Sequence, residues 1–329
     1  MKLLKELYEI HSPSSGEIEM QKFIANYLTN IGGVVWELDE TGNIYATKGV
    51  AETYPCVVAH MDEVHHKREL GYRVLECDGV ICGFDMLEKK SQGIGSDDKN
   101  GIWVCLKCLE RYDVIKCAFF VGEEIGCVGS SSANMEFFND CRYVLQCDRK
   151  SNADFITNAA GTDLCTNDFI RDANIGAFSY KVEYGSVTDV MELKERGLKV
   201  CAANISCGYY NPHTDSEVTV FADLQNCLDL VCNIIETCVA VYPHEYVNKW
   251  DYYDDWYGYG GYKRGGDSDW DAECLEAMRE DARFYKNYLE FEEEMQFIYG
   301  ASVEMIHTAW QEARQPKTKK KRANKKKTA

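Results

Sequence analysis

Residues 56–62 read Cys56-Val57-Val58-Ala59-His60-Met61-Asp62, and the reading of this stretch decides the fold. Val57, Val58 and Ala59 form a short continuous apolar run after Pro55. That is the pattern of a strand covered on both faces in a parallel sheet. The run ends in two polar groups. In an extended chain residues i and i+2 point to the same side. His60 and Asp62 are therefore expected together at the carboxyl end of a buried strand, where open α/β sheets place their ligand sites. A carboxylate there can accept the imidazole's second N–H, set its tautomer and leave the other nitrogen for a metal. Taken alone, His-x-Asp reads more readily as a hydrogen-bonded histidine at a strand end.

Outward from this segment the chain alternates between buried strands and amphipathic helices. Leu3–Ile10 and Glu17–Thr29 carry apolar residues at helical spacing, with Ser15 as the expected N-cap of the second. Val34–Leu38 and Asn43–Thr47 read as a hairpin, and Tyr72–Cys77 with Val80–Gly83 as another around Asp78-Gly79. Gly93–Gly101 reads as a loop before a helix over Ile102–Tyr112. Further buried strands are expected at Cys117–Val121, Arg142–Cys147 and Val200–Ile205. Helices are expected at Thr162–Ile170, Asp189–Arg196 and Val220–Val241, with a loop over Gly208–Asp215. The alternation implies a three-layer α/β/α sandwich on a mixed, mostly parallel sheet.

The chain of 329 residues is 45% apolar, enough for a large α/β domain with an appendage. Composition changes after Pro243, so the expected organisation is a domain over 1–245, an acidic, aromatic-rich, partly helical appendage over 246–315 and a basic disordered tail over 316–329. The tail carries seven Lys and one Arg; without them the formal charge of −18 becomes −26 over residues 1–315. So acidic a body repels nucleic acid. The tail alone reads as a localisation or nucleic-acid patch, or as simply solvated. Sixteen cysteines do not make a disulfide scaffold here, since many lie inside apolar runs, where reduced Cys acts as a small hydrophobe. With no apolar leader in Met1–Ile18 and no run long enough to span a bilayer, the expectation is a reducing cytoplasm and no membrane.

Acids and histidines gather at segment ends: His60 and Asp62, Asp97-Asp98, Glu123-Glu124, Asp148 and His213. Two histidines with several carboxylates suit zinc, manganese or cobalt. Adjacent acids in one cleft raise each other's pKa, and a bound dication removes that cost. One carboxylate, with two oxygens, can bridge a pair of ions.

Val-Ala-His60-Met-Asp62, Gly95-Ser-Asp97-Asp98-Lys-Asn-Gly101, Gly122-Glu123-Glu124-Ile-Gly126, Cys-Asp148-Arg and Asn-Pro-His213 resemble, in order, the motifs of the co-catalytic zinc exopeptidases. The resemblance is to peptidase T, with carboxypeptidase G and succinyl-diaminopimelate desuccinylase as wider relatives, and covers roughly residues 1–241. It implies two divalent ions, most simply zinc. Asp97 would bridge them, His60 and Asp148 would hold one, and Glu124 and His213 the other. Asp62 would orient His60, and Glu123 would be the general base. Between Asp148 and His213 lie only 64 residues, which leaves no room for that family's separate lid and dimerisation domain. The family's dimer is therefore not expected, and Tyr209 or Tyr210 is the candidate oxyanion donor in place of a lid histidine. The implied activity is that of a metallopeptidase, an aminopeptidase acting on short peptides. N-acyl-amino-acid deacylase and carboxypeptidase chemistry on the same core are alternatives within enzymes. A catalytically silent binding protein is the alternative outside them.

Overall fold

The computed structural model describes residues 1–246 continuously and scattered positions between 275 and 314, among them a helix over Val303–Ala313. The chain divides into two compact units, Met1–Asn248 and Lys249–Ala329. In the second unit, Met278, Ala282, Phe291, Met295, Ile306 and Ala309 form a small buried cluster. Much of the expected appendage over 246–315 and all of the basic tail over 316–329 fall outside the described residues.

In chain order the first unit runs α1 (Lys2–Glu9), α2 (Ile18–Asn30), β1 (Val34–Leu38), β2 (Ile44–Lys48) and β3 (Tyr54–His60). There follow β4 (Tyr72–Cys77), β5 (Val80–Asp85), β6 (Lys90–Gln92), α3 (Ser96–Arg111), β7 (Ile115–Phe120) and α4 (Val128–Ser131). Then come β8 (Cys141–Arg149), β9 (Asp154–Ala159), β10 (Thr162–Asp163), α5 (Asn167–Ala173), β11 (Lys181–Gly185) and α6 (Asp189–Glu195). The last elements are β12 (Ala202–Ser206), β13 (Tyr209–Tyr210), β14 (Val218–Val220) and α7 (Phe221–Thr237).

Nine strands form one mixed sheet in the order β1-β2-β7-β3-β8-β12-β9-β10, with β11 paired to β9. Its centre, β7-β3-β8-β12, is parallel throughout. Every residue of β3 is buried, as a strand covered on both faces requires. Successive side chains go to opposite faces. Val57 and Ala59 join the core built with α1, α2, α3, α5 and α7, while Cys56 and Val58 pack with Val190 and Leu193 of α6. The three-layer sandwich is thus the observed architecture. A second, antiparallel sheet, β13-β14-β5-β4 with β6 on β5, stands beside it.

Several local readings shift. The helix expected from Thr162 begins at Asn167, because Thr162 and Asp163 pair with Ala159 and Asn158 and Thr166 caps the helix by accepting from the Phe169 N–H at 3.3 Å. Ser15 does not cap α2; it sits at φ 65° and its N–H is held by Glu17 Oε1 at 3.1 Å. The loop Gly93–Gly101 turns helical at Ser96, with its first turn broken at Asp97 and Asp98. The loop Gly208–Asp215 contains β13, which pairs with β14 at the edge of the second sheet. The fifteen described cysteines are all free, most of them buried. No helix among the described residues is long and apolar enough to cross a membrane.

Candidate metal centre

Three adjacent parallel strands, β7, β3 and β8, end at the same edge of the sheet and deliver the acids. His60 closes β3 and is fully buried. Asp148 lies at the end of β8, Glu123 and Glu124 just past β7, Asp97 in the first turn of α3, and His213 in the loop between β13 and β14. Around His60 Nε2 stand Asp97 Oδ1 at 3.1 Å, Asp148 Oδ1 at 3.6 Å and Glu123 Oε2 at 3.9 Å. Around His213 Nε2 stand Glu124 Oε2 at 3.2 Å and Asp97 Oδ2 at 3.4 Å. The carboxylate of Asp97 thus turns one oxygen to each histidine. His213 adopts φ 61°, and its side chain keeps 52% of its exposure, so the cluster is open on that side.

The cluster fits cations on three counts. Ligand atoms of His60, Asp97 and Glu124, and again of His60, Asp98 and Asp148, lie within 4.8 Å of one another. Tetrahedral ligands at zinc bond lengths stand about 3.3 Å apart, close to the separations observed. Glu124 Oε1 is buried without a hydrogen-bond partner, a state that costs free energy unless something positive satisfies it. Electrostatics point the same way. Burial and then Asp97 push the Asp148 and Glu124 carboxyls up, Asp148 far above the usual range. Burial also lifts Glu123 well above that range, with Asp148, Asp189 and Glu124 adding to it against His60. His60 is raised despite its burial, through Asp148, Asp62 and Asp97. Asp97 and Glu124 hold His213 up at about 11. Without a cation, the site must keep protons on groups that a metal needs bare.

Asp62 performs a wider task than orienting one ring. Its Oδ1 is 3.2 Å from His60 Nδ1, though poorly aligned for a hydrogen bond, and it accepts the Glu123 N–H at 2.9 Å. Its Oδ2 accepts from Ser14 Oγ at 2.8 Å and the Glu124 N–H at 3.2 Å. One carboxylate therefore ties the β3 end to both acids past β7. Asp98 was not singled out by sequence as a site residue, yet it is fully buried, accepting from His60 N–H at 3.2 Å and Gly101 N–H at 2.9 Å. The Asp97–Asp98 peptide is cis. The glycines of that motif leave room for the acids. A Cβ at Gly101 would lie 2.4 Å from both Asp98 oxygens, and at Gly95 1.9 Å from Glu63 Oε2.

Gln146 and Asn204 are also invisible as site residues in the sequence. Gln146 Nε2 donates to Asp148 Oδ2 at 3.2 Å and to Asp189 Oδ2 at 3.0 Å, and Thr188 Oγ1 to Gln146 Oε1 at 2.7 Å. Asn204 brackets the Asp148 backbone from both sides at 2.9 Å. These are polar residues inside apolar strands or at a helix start, a signal of buried bonding but not of partners. His65 is mostly buried, its ring 3.2 Å from Glu217. Tyr209 is buried within electrostatic reach of Asp97 and Asp148, while the Tyr210 hydroxyl is committed to Asp223 Oδ2 at 2.6 Å.

No family model matches the chain. A 62-residue stretch, 19% of the chain, is 40% identical to a LysW-lysine/LysW-ornithine hydrolase of Pyrobaculum aerophilum, and spans 18% of that protein's length. The aminopeptidase PepT of Bacillus cereus superposes with a TM-score of 0.58 at 16% identity, over 71% of this chain and 96% of that one. A tripeptidase of Staphylococcus aureus gives 0.57 at 14% identity, over 72% and 97%. At such identities the likeness is one of fold: the chain carries the fold of peptidase-T-like metallopeptidases.

Proposed function

We propose that the protein is a metal-dependent exopeptidase, an aminopeptidase that hydrolyses short peptides. One observation carries the reading: the Asp97 carboxylate turns Oδ1 to His60 Nε2 at 3.1 Å and Oδ2 to His213 Nε2 at 3.4 Å, an arrangement that would let it serve two divalent ions. The aminopeptidase and tripeptidase of the same fold support the substrate class. His60, Asp97 and Asp148 would hold one divalent ion, and Asp97, Glu124 and His213 the other; zinc suits this donor set, as do manganese and cobalt. When bound, such ions acidify water toward neutrality and polarise a scissile carbonyl.

The residues supply the rest. Glu123 stands 3.9 Å from His60 Nε2, its backbone anchored on Asp62. There its carboxylate takes the proton of the attacking water and passes it to the leaving amine. Asp62 holds His60 and both glutamates in place. Tyr209, buried near Asp97 and Asp148 and not tied to Asp223 as the Tyr210 hydroxyl is, would donate to the developing oxyanion. Turnover of amino-acid anilides against N-acyl amino acids, with metal analysis alongside, tests the reading. Glu123→Gln abolishes turnover and keeps the metal, whereas Glu124→Gln loses metal. Normal turnover in Glu123→Gln removes it as the base. Cleavage confined to N-acyl amino acids replaces the aminopeptidase by a deacylase.

A further inference from the structure

Glu217 lies four residues beyond His213, and only 1% of it is exposed. Its Oε2 accepts the backbone N–H groups of Ile94 at 3.0 Å and Gly95 at 2.7 Å, and meets His65 Nε2 at 3.2 Å. Its Oε1 accepts from Ser96 Oγ at 2.7 Å and from the Asp97 N–H at 3.2 Å. One carboxylate thus collects donors from four consecutive residues, the last of which is the bridging acid. The carbonyl side of the same segment is held by Lys99 Nζ, 3.2 Å from the Ile94 oxygen. The segment passes through Gly95 at φ 61° and a non-helical Asp97, so no helical ladder of its own shapes it, and the carboxylate takes that place. Glu217 is in turn fastened to the His213 loop by its N–H on the Thr214 carbonyl at 3.1 Å. A glutamine could accept on one side only, since its Nε2 is a donor.

We infer that Glu217 is the positioning residue of the two-ion centre, the group that sets Asp97 and His213 at a common separation so that they can share a cation. The inference rests on the proposed metal centre. It concerns a residue that touches neither ion nor substrate and acts through the backbone of Asp97.

The test is titration of the full-length, chelator-stripped protein with Co(II) alone, following heat and the visible ligand-field bands. The parent takes up two equivalents. Glu217→Gln keeps the parent far-UV spectrum but binds at least one equivalent about ten- to a hundredfold more weakly, with altered bands, the range typical of outer-shell changes. Tyr8→Phe removes a buried hydroxyl bonded to Asn100 and Thr219. It lowers the thermal midpoint and leaves both affinities near those of the parent, which separates positioning from general destabilisation. Parent-like affinity and bands in Glu217→Gln overturn the inference, as does an equal loss in Tyr8→Phe. Should Glu217→Gln not fold, Ser96→Ala, which deletes one of the five donors, must still weaken Co(II) binding, and parent-like binding there has the same consequence. A parent that binds no Co(II) overturns the metal centre itself, a result distinct from an intact centre indifferent to Glu217.

Discussion

Gly101→Ala sets two effects against each other at one position. Gly101 lies inside α3, and in a helix interior alanine is favoured over glycine by about 1 kcal/mol. On propensity alone the substitution stabilises. The added Cβ, however, would stand 2.4 Å from both oxygens of Asp98, and that carboxylate is fully buried between the N–H groups of His60 and Gly101. Relief requires either an overpacked helix turn, at about 1–3 kcal/mol, or displacement of Asp98. Displacement leaves the buried His60 N–H unpaired, again at about 1–3 kcal/mol. The two are alternatives, so the net expectation after the propensity gain is a loss of up to about 2 kcal/mol. For a domain of this size that is up to about 8 °C in Tm. Urea denaturation and calorimetry of the metal-free protein read it directly, and Co(II) affinity falls with it because His60 moves. A variant more stable than the parent would show that Asp98 is not pinned where the geometry has it, and the argument for the Gly101 position fails.

Three more expectations concern the site. At neutral pH the metal-free protein holds protons on His60 and on His213, whose pKa is raised to about 11. Zn(II) needs both imidazoles bare, so loading two ions releases at least two protons. Affinity then rises with pH, by about tenfold per pH unit for each proton released. Calorimetry in buffers of different ionisation heat counts these protons, and a count of none contradicts the arrangement. Asp62→Asn keeps the shape but cannot serve the Glu123 and Glu124 N–H groups, Ser14 and His60 together. Metal affinity or turnover falls about 10–100-fold, and equality with the parent speaks against its role. Tyr209→Phe lowers kcat by about 10²–10³ with metal content unchanged, if its hydroxyl serves the oxyanion, whereas Tyr210→Phe has little effect; matching kcat values for parent and Tyr209→Phe dismiss the donor.

How much of this was legible in the chain follows from what a local pattern can carry. The apolar run Val57–Ala59 specifies a strand with two covered faces, and period two puts His60 and Asp62 on one side; both readings need only neighbours in sequence. Gly95, Asp97, Asp98 and Gly101 read only as part of a loop; the helical start at Ser96 and the steric need for glycine, since side chains at 95 and 101 would occupy the space of Glu63 and Asp98, belong to the folded structure. β11 escapes such reading because four of its five residues are exposed, so it shows no buried face and is held by backbone pairing to β9. The start of α5 was misplaced because nothing in Thr162–Asp163 tells that its backbone is claimed by β9.

Sequence by itself determined the central strands, the class of the sheet and the inventory of acids and histidines at its edge. Only the tertiary structure decided which oxygen of Asp97 faces which imidazole, that Asp62 holds both glutamates, and that Glu217 holds the segment before Asp97. The partners in those bonds stand 37, 61 and 120 residues apart. Hydrophobic periodicity records only whether a side chain is buried, whereas a hydrogen bond depends on distance and angle, and these exist only once the strands have been brought side by side.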